Sequence, residues 1–499
     1  MVINTDPSPG EKVLKTAASK KATSKKATSK KTALKAGTST SWSSITGLTL
    51  ANFKRFESLK NLEFAPLTIL TGPNSSGKST IIQSLVLLKQ SLEIPTALDA
   101  LAFNDLVQLG SGQRVIRSDS GTSCFSIGLL IDMSSVAEPA SKDLGVRLST
   151  ISVEWAFRVA DSGTQIESIG LQGIDQAGKR YPLASVQRRK EAKAKERDRP
   201  TYTLSFENPT LRDGAAAFAQ KVLQIELEPQ PTVRLRKFIP EMVELKNSDS
   251  VHFVPLQALS PLFNYVLSIL ESALTRELHY IGPLRIEPSE MYAQNSRRIG
   301  VRGEDSIAFL RANAGKQVLH ALPDGKSATL LEAVNAWLLQ MEAGDDLEFS
   351  PLGDRFFEAK TGPRRLSEVG CGLGQVLPVL IQCLAASRGS IVLLEQPEIH
   401  LHQKLQANLA DFLLQMTRRG VRIVAETHSE LMIMRLRRRI AESPQGDVEK
   451  LLAVYFATAG SLTKIPFDDK GNVGLWPSSF FDQGLLEMRA LAQAQSKRS

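Results

Sequence analysis

The stretch LTILTGPNSSGKST, residues 67–80, decides the fold. It carries the pattern G-x-x-x-x-G-K-[ST] at Gly72, Gly77, Lys78 and Ser79, between an apolar run typical of a buried strand and a strongly helical stretch. This context distinguishes a phosphate-binding loop from a chance glycine turn. Glycines allow successive backbone N–H groups to point at phosphate oxygens, and the helix N-terminus adds its positive end. The stretch predicts a P-loop within an α/β fold.

The side chains of this loop suit ATP and Mg²⁺. Lys78 offers a point charge to the β- and γ-phosphates, and the hydroxyl of Ser79 is a suitable magnesium ligand. The residues predicted to contact the nucleotide here are Gly72, Pro73, Asn74, Ser75, Ser76, Gly77, Lys78, Ser79 and Thr80.

A second element, SIVLLEQPEIHLH at residues 390–402, resembles a buried strand that ends in acids. Glu395 stands at the Walker B position and is predicted to support Mg²⁺. The next position normally holds the carboxylate that polarises the attacking water, and here it is Gln396. Because an amide orients water without accepting its proton, Glu398 is an alternative for that role.

A third element, VRIVAETHSE at residues 421–430, is another apolar strand, and His428 lies just beyond its end. A lone histidine is often structural. A histidine at the tip of a second buried strand, about thirty residues after the first acid, is well placed to sense a γ-phosphate. We therefore predict a catalytic role for His428.

A fourth element, LSEVGCGLGQVLPVL at residues 366–380, places Gly370, Gly372 and Gly374 before a helix. A glycine-rich turn at a helix N-terminus is an anion cradle. A second cradle on one chain suggests that it serves the ATP of another subunit. The alternative is a flexible loop before a core helix.

Other polar residues are weaker candidates. His400 and His402 form an H-x-H pair, but no further Cys or His lies nearby at ligand spacing, so they are predicted to be loop residues. Four arginines could reach phosphates or DNA but are interpreted as surface residues: Arg285, Arg297, Arg298 and Arg302.

Charge is concentrated at the N-terminus. The formal charge is +9, and nine lysines with two acids in residues 1–40 account for +7 of it, leaving +2 for the rest. This tail repeats SKKAT and has few apolar residues, which predicts disorder. Residues 12–35 are either a salt-sensitive arm for DNA or a non-specific extension. The three scattered cysteines and the lack of a long apolar run favour a cytoplasmic protein without a membrane partner.

The strand and helix patterns predict one α/β layer system that is split by an insertion. Alternating apolar residues after about residue 123 indicate antiparallel strands, and Val254–Leu278 is interpreted as a helix. Apolar strands alternating with helices at the C-terminal end indicate a parallel sheet covered on both faces. The predicted segments are a disordered tail (1–41), a first part of the head (42–122), a β-rich and helical insertion (123–276) and a second part of the head (277–499).

In chain order, the P-loop, the long insertion, the glycine-rich signature, the acidic strand and the His-terminated strand resemble the ABC-type ATPase heads of the RecF, SMC and OLD-like proteins. The motifs EQPEIHLH, ETHSE and WPSSFFDQ resemble those of bacterial stand-alone AAA ATPases more narrowly. The resemblance implies a P-loop NTPase fold with a mixed sheet. It also implies a homodimer of heads in which Lys78 of one subunit and the signature Gly370–Gln375 of the other enclose ATP. Gln108 or Gln113 is a candidate for the Q-loop glutamine.

The chain departs from the family pattern at two positions. Gly374 replaces the usual signature serine, and Gln396 replaces the second acid, so the resemblance implies slow hydrolysis. The segment between P-loop and signature has no sustained heptads, which disfavours an SMC-like coiled coil. No acidic D-x-D cluster follows His428, which disfavours intrinsic nuclease activity.

The sequence therefore predicts an ATPase that dimerises on ATP and regulates nucleic acid or a partner effector, such as a nuclease in phage defence. That last role rests on family analogy. Two alternatives stay open: a non-hydrolysing ATP-gated scaffold, and a DNA-binding protein that acts through its basic tail.

Overall fold

The computed structural model describes residues 45–94, 99–133, 144, 146–161, 163–189, 200–246, 250–294, 296–443, 447–474 and 483–496. Three sequence predictions fall outside these residues. They are the disordered tail at 1–41, its DNA-binding stretch at 12–35, and nearly all of the WPSSFFDQ motif at 476–483.

The strands, in chain order, are β1 Ile45–Phe53, β2 Phe56–Glu63, β3 Leu67–Thr71, β4 Cys124–Asp132, β5 Leu148–Ala160, β6 Gly163–Asp175, β7 Arg180–Arg188, β8 Tyr202–Phe206, β9 Thr232–Arg236, β10 Ile239–Lys246, β11 Val251–Pro255, β12 Leu278–Ile281, β13 Tyr292–Ala293, β14 Gln317–Val318, β15 Ala328–Thr329, β16 Leu347–Leu352, β17 Phe356–Thr361, β18 Arg364–Arg365, β19 Ile391–Glu395, β20 Arg422–Glu426, β21 Leu452–Thr458 and β22 Ser461–Ile465.

The α-helices are α1 Lys78–Glu93, α2 Gly112–Val115, α3 Pro209–Phe218, α4 Leu256–Leu259, α5 Pro261–Ser272, α6 Ser306–Ala312, α7 Leu330–Met341, α8 Cys371–Ala385, α9 Gln403–Arg418, α10 Glu430–Ala441, α11 Asp447–Leu451 and α12 Gln483–Ser496. Short π-helical turns follow α3 and α5, and a 3₁₀ turn at Leu366–Glu368 precedes α8.

A six-stranded sheet in the order β12-β19-β20-β3-β21-β22 holds the P-loop strand near its centre. Its first five strands are parallel, and β22 pairs antiparallel with β21. The predicted mixed sheet is therefore confirmed. Because parallel strands end at a common edge, the residues that follow β3, β19 and β20 meet at the same place.

A second sheet has ten antiparallel strands in the order β11-β10-β9-β8-β7-β6-β5-β4-β1-β2. The predicted antiparallel strands after residue 123 belong to it. They extend the hairpin of β1 and β2, because β4 pairs with β1 from Ile45↔Ile131 to Ala51↔Ser126. The strands of the predicted insertion and those of the first segment thus form one continuous layer.

Two hydrophobic cores cover the two faces of the six-stranded sheet. Along β19, Ile391 and Leu393 join the core shared with α1 and the ten-stranded sheet, whereas Val392 and Leu394 join the core of α7 to α10. This alternation follows from the pleat, which sends successive side chains to opposite faces. Burial on both faces explains why the strand is apolar throughout.

The predicted single helix over Val254–Leu278 is wrong. The structure has strand β11, then α4 and α5, a π-helical turn and β12 in this region. The break follows from Ser260 and Pro261. The hydroxyl of Ser260 accepts the N–H of Leu262 and caps α5, and proline suits the first turn of a helix but not its interior.

None of the helices in the described segments combines the length and apolarity required to cross a bilayer.

Candidate nucleotide-binding site

The P-loop connects β3 to α1 and depends on glycine at two positions. Gly72 has φ of +134°, and a Cβ there would lie 2.4 Å from the carbonyl oxygen of Ala457. Gly77 has φ of +111°, and its Cβ would lie 3.1 Å from the ring of Phe56. Both positions need a residue that adopts positive φ and carries no side chain. The loop is therefore fixed by neighbouring backbone and by one aromatic ring.

The loop residues divide by exposure. Pro73, Asn74 and Ser75 are exposed, whereas Ser76 and Thr80 are buried. The hydroxyl of Ser76 is enclosed and has no hydrogen-bond partner within the described residues. An enclosed hydroxyl of this kind fits a loop whose polar groups take a ligand oxygen as their partner.

Lys78 lies at the first position of α1 and is 3 % exposed. Its ammonium group donates to the carbonyl oxygens of Gly72 at 3.1 Å and Pro73 at 2.7 Å, and lies 3.9 Å from Oε1 of Glu426. Burial lowers the pKa of Lys78, and the charge of Glu426 opposes that change. The cation is thus held over the loop, where phosphate charge would be neutralised.

Glu395 and Glu426 end adjacent parallel strands and are direct partners in the register of β19 and β20. Both are buried. The hydroxyl of Tyr280 donates to Oε1 of Glu395 at 3.0 Å. Burial, reinforced by the charge of Glu426, raises the pKa of Glu395 to about 7. Two enclosed carboxyl groups side by side favour a bound cation between them.

The donor set here fits magnesium. Burial also raises the pKa of Glu426, while a hydrogen bond from the Ser79 hydroxyl and the charge of Lys78 oppose that rise. Oε2 of Glu426 is enclosed and lacks a partner within the described residues. Hydroxyl and carboxylate oxygens are the ligands that Mg²⁺ prefers, together with phosphate and water. Ser79, Glu395 and Glu426 would hold the ion, and Glu426 is the member that had no predicted role.

The turn after β19 joins the remaining predicted catalytic residues. Gln396 has φ of +44°, and its N–H donates to the carbonyl oxygen of Glu426 at 2.8 Å. Oε1 of Glu398 accepts the backbone N–H of His428 at 2.7 Å, and Oε2 of Glu398 is enclosed without a partner in the described part of the chain. Burial raises the pKa of Glu398, whereas burial and the charge of Lys78 lower the pKa of His428.

The signature residues lie at the start of α8. Gly370 is its exposed N-cap, and a side chain there would enter open space. Gly372 is half-buried near the backbone of His400. Gly374 is buried, and a Cβ would lie 2.5 Å from the ring of Pro288. Of the three glycines, only the first is open to a second molecule without displacement of a neighbour.

Arg285 is buried, so its interpretation as a surface residue is wrong. It is 4 % exposed, and its Nη2 donates to the carbonyl oxygens of Glu395 at 2.9 Å and Gln396 at 3.2 Å. Burial lowers the pKa of Arg285 to about 10. Three residues that touch this site were not assigned a role from the sequence: Tyr280, Arg285 and Glu426. Their shared signal is a polar residue within or shortly after an apolar strand.

Other predicted candidates lie apart from this cluster. Gln108 and Gln113 are both exposed, and the structure does not choose between them for the Q-loop role. Arg297, Arg298 and Arg302 are exposed as predicted. A surface cavity of about 800 Å³ at the start of α8 is lined in part by Gly370, Gly372, His400 and His402. In the described ranges no group of three or more His, Cys, Asp or Glu side chains forms a resident metal cluster.

Two family models match the chain. Residues 44–221 match a model described as an AAA ATPase domain, and residues 294–434 match one described as an AAA domain, putative AbiEii toxin, Type IV TA system. No curated protein matches the chain.

Among solved structures, an Smc head bound to the C-winged helix domain of ScpA has a TM-score of 0.38 at 11% identity, covering 84% of this chain and 97% of that chain. The SMC head domain from Thermotoga maritima has a TM-score of 0.34 at 11% identity, with 85% and 99% covered. An Smc head with an extended coiled coil, bound to the C-terminal domain of ScpA from Pyrococcus furiosus, has a TM-score of 0.36 at 11% identity, with 84% and 95% covered.

A P-loop at the centre of a mixed sheet, with acids at the ends of two neighbouring parallel strands, is the arrangement of an ATPase core. The two AAA models match the segments that contain the P-loop and the acidic strand β19. The chain accordingly has the fold of a P-loop ATPase, and its two matched segments are similar to AAA ATPase domains.

Proposed function

We propose that this ATPase binds Mg-ATP at its P-loop, hydrolyses it slowly and uses the nucleotide to control the pairing of two heads. The observation that carries the proposal is the convergence of Lys78, Glu395 and Glu426 at one edge of the sheet, with the 3.9 Å approach of Lys78 Nζ to Glu426. A cation beside two buried carboxyl groups suits a ligand that brings both phosphate charge and a metal ion.

Each residue has a defined task in this proposal. The backbone of Gly72 to Thr80 and the Lys78 ammonium bind the phosphates, while Ser79, Glu395 and Glu426 hold Mg²⁺. Magnesium bound with ATP supplies charge neutralisation on the β- and γ-phosphates. Burial and the charge of Lys78 lower the pKa of His428, which favours a neutral imidazole whose one N–H donates to an oxygen of the γ-phosphate.

The attacking water requires an orienting group and a proton acceptor. The Gln396 amide serves as the orienting group. Glu398 is suited to accept the proton, because burial raises its pKa and its Oε2 has no partner within the described residues. A carboxylate with a raised pKa is a stronger base near neutral pH. The arrangement supports turnover that is slower than with a carboxylate at position 396.

Pairing of heads and control of an effector complete the proposal. The exposed start of α8, beside the 800 Å³ cavity, offers Gly370 and the helix N-terminus to the phosphates of a second subunit. Control of a separate effector, such as a nuclease, in phage defence is the last part of the proposal. That role rests on family analogy alone.

Steady-state ATP hydrolysis tests the proposal, measured with and without duplex DNA. Wild type should turn over ATP, whereas Lys78→Ala and Glu395→Gln should not. Lys89→Ala is a matched control, because Lys89 is a buried lysine on the same helix that bonds carbonyl oxygens away from the P-loop. Loss of activity in Lys89→Ala equal to that in Lys78→Ala, with both folded by circular dichroism, would contradict a specific role for Lys78.

Two alternative functions make different predictions. A non-hydrolysing scaffold, suggested by Gln396, binds Mg-ATP and pairs its heads without releasing phosphate. A DNA-binding protein that acts through its tail loses most of its DNA affinity on deletion of residues 1–40, and its affinity falls steeply with salt. DNA binding that persists after this deletion and is insensitive to salt would eliminate the second alternative.

A further inference from the structure

The segment between β12 and β13 contacts two parts of the site at once. Arg285, in the middle of this segment, has its side chain against the turn that follows β19 and its backbone against α8. The two contacts belong to a single residue, so a change in one is mechanically linked to the other. Such a link joins the residues that handle ATP within a subunit to the helix that faces a second subunit.

The side-chain contact holds a strained turn. Nη2 of Arg285 donates to the carbonyl oxygens of Glu395 and Gln396, at 2.9 and 3.2 Å. Gln396 has φ of +44°, which a residue with a side chain adopts at a cost in free energy. Charge-assisted hydrogen bonds to carbonyl oxygens are among the stronger ones in proteins. The guanidinium group therefore fixes the orientation of the Gln396 peptide, and with it the direction of the Gln396 side chain.

The guanidinium group is not saturated by these bonds. Its Nε and Nη1 are enclosed and have no partner within the residues that the structure describes. A buried donor without a partner is costly. Burying an arginine in this state lowers the stability of the fold, which is typical of a side chain whose position serves a site. The charge that acts on it most strongly is the carboxylate of Glu398.

The backbone of Arg285 contacts the signature residues at the start of α8. Nε2 of Gln375, on the second turn of α8, donates to the carbonyl oxygen of Arg285 at 3.2 Å, and both residues are buried. Three residues further on, the ring of Pro288 covers the Cα of Gly374 so closely that a Cβ would overlap it. The start of α8 is therefore packed directly against the Arg285 segment.

We propose that Arg285 is a positioning residue that transmits the position of α8, received through Gln375, to the Glu395–Gln396 turn and so to the attacking water. This inference rests on the proposed function, because it assigns a partner-facing helix and a water-orienting amide. Its consequence is that contact of α8 with a second subunit adjusts hydrolysis within the same subunit. The rate at which each head hydrolyses its own ATP would then depend on whether that head is paired.

Hydrogen–deuterium exchange without nucleotide tests the link separately from hydrolysis. The amides of Gln396, Ile399 and Leu401 are bonded within or beside the turn and report its stability. Gln375→Ala removes one hydrogen bond and should speed their exchange about fivefold. Gln382→Ala, a buried glutamine about two turns further along α8, should leave these amides unchanged. Unchanged exchange in Gln375→Ala, or equal acceleration in both variants, would overturn the link.

Kinetics test the positioning role. Arg285→Lys keeps the charge but not the planar fork of donors. It should lower kcat about tenfold and leave the Kd for Mg-ATP within about twofold, because the Arg285 side chain bonds the turn after β19 rather than the P-loop. Arg419→Lys is the matched control: Arg419 is a partly buried arginine that also donates to carbonyl oxygens, those of Cys383 and Leu384. Equal losses of kcat in both variants would indicate a merely structural role for Arg285.

The two hypotheses fail in different ways. If wild type binds Mg-ATP but never hydrolyses it, the proposed function fails, while the exchange experiment still decides whether α8 and the turn are linked. If wild type hydrolyses ATP and Gln375→Ala leaves the turn unchanged, the relay fails and the ATPase assignment stands.

Discussion

Replacing Glu395 by glutamine should stabilise the folded protein at alkaline pH while abolishing hydrolysis. Glu395 is enclosed beside Glu426, and burial raises its pKa from 4.5 to about 7. Between pH 4.5 and about 7, the folded protein therefore keeps a proton on Glu395 that the unfolded chain has already released. Stability falls as pH rises through this window, because the unfolded state binds fewer protons there.

The magnitude follows from the two pKa values. Each pKa unit corresponds to about 1.4 kcal/mol. The rise from 4.5 to about 7 therefore lowers the free energy of unfolding by about 3 kcal/mol, and this loss is complete above pH 7. Glutamine has no charge to bury, and its carbonyl oxygen still accepts the hydroxyl of Tyr280. The free energy of unfolding of Glu395→Gln should exceed that of wild type by less than about 1 kcal/mol at pH 5 and by about 3 kcal/mol at pH 8.

Urea denaturation at several pH values between 5 and 8.5, without nucleotide, measures this difference. Glu348→Gln, at an exposed position on β16, is the control and should follow wild type at every pH. A constant difference between Glu395→Gln and wild type across the range would refute the reasoning. So would a variant that is less stable than wild type at pH 8. Either result would mean that the carboxylate is compensated in the folded state.

Three further substitutions test individual parts of the site. Gly72→Ala should destabilise the fold by roughly 1–3 kcal/mol and abolish ATP binding, because its Cβ would lie 2.4 Å from the carbonyl oxygen of Ala457. Thermal denaturation measures the loss of stability, and nucleotide titration measures the loss of binding. Gly374→Ser should also cost roughly 1–3 kcal/mol, through overlap with Pro288, without raising kcat; faster hydrolysis would contradict this. His428→Ala should lower kcat by roughly tenfold at nearly unchanged ATP affinity, and a large loss of affinity would show a binding role instead.

Local patterns in the sequence predicted much of the fold. Strands β3, β19 and β20 form where apolar runs predicted buried strands, because a continuous apolar run indicates burial on both faces of a strand. The P-loop was predicted because its chemistry is contiguous in the chain. The join between β4 and β1 was not, because nothing in a strand's own residues names the edge against which it will pair.

The site was predicted less completely, for a physical reason. Arg285 and Glu395 are 110 positions apart in the chain, and only the adjacent, parallel placement of β12 and β19 brings them together. An arginine after an apolar strand is most often a surface residue, and its burial is visible only once both strands are placed. Glu426 could not be assigned from the sequence for the same reason, because its role depends on its register with Glu395.

The two departures from the family pattern differ in meaning once their surroundings are known. Gly374 is enclosed in its own subunit, and any side chain there would have to displace Pro288. Glycine is therefore required by packing, and its lack of a hydroxyl says little about contact with a second subunit. Gln396 is different, because its backbone is held between Arg285 and Glu426 and its side chain replaces a base. The rate of hydrolysis should accordingly depend on Gln396 and on the neighbouring Glu398, whose enclosed oxygen is the remaining proton acceptor on that turn.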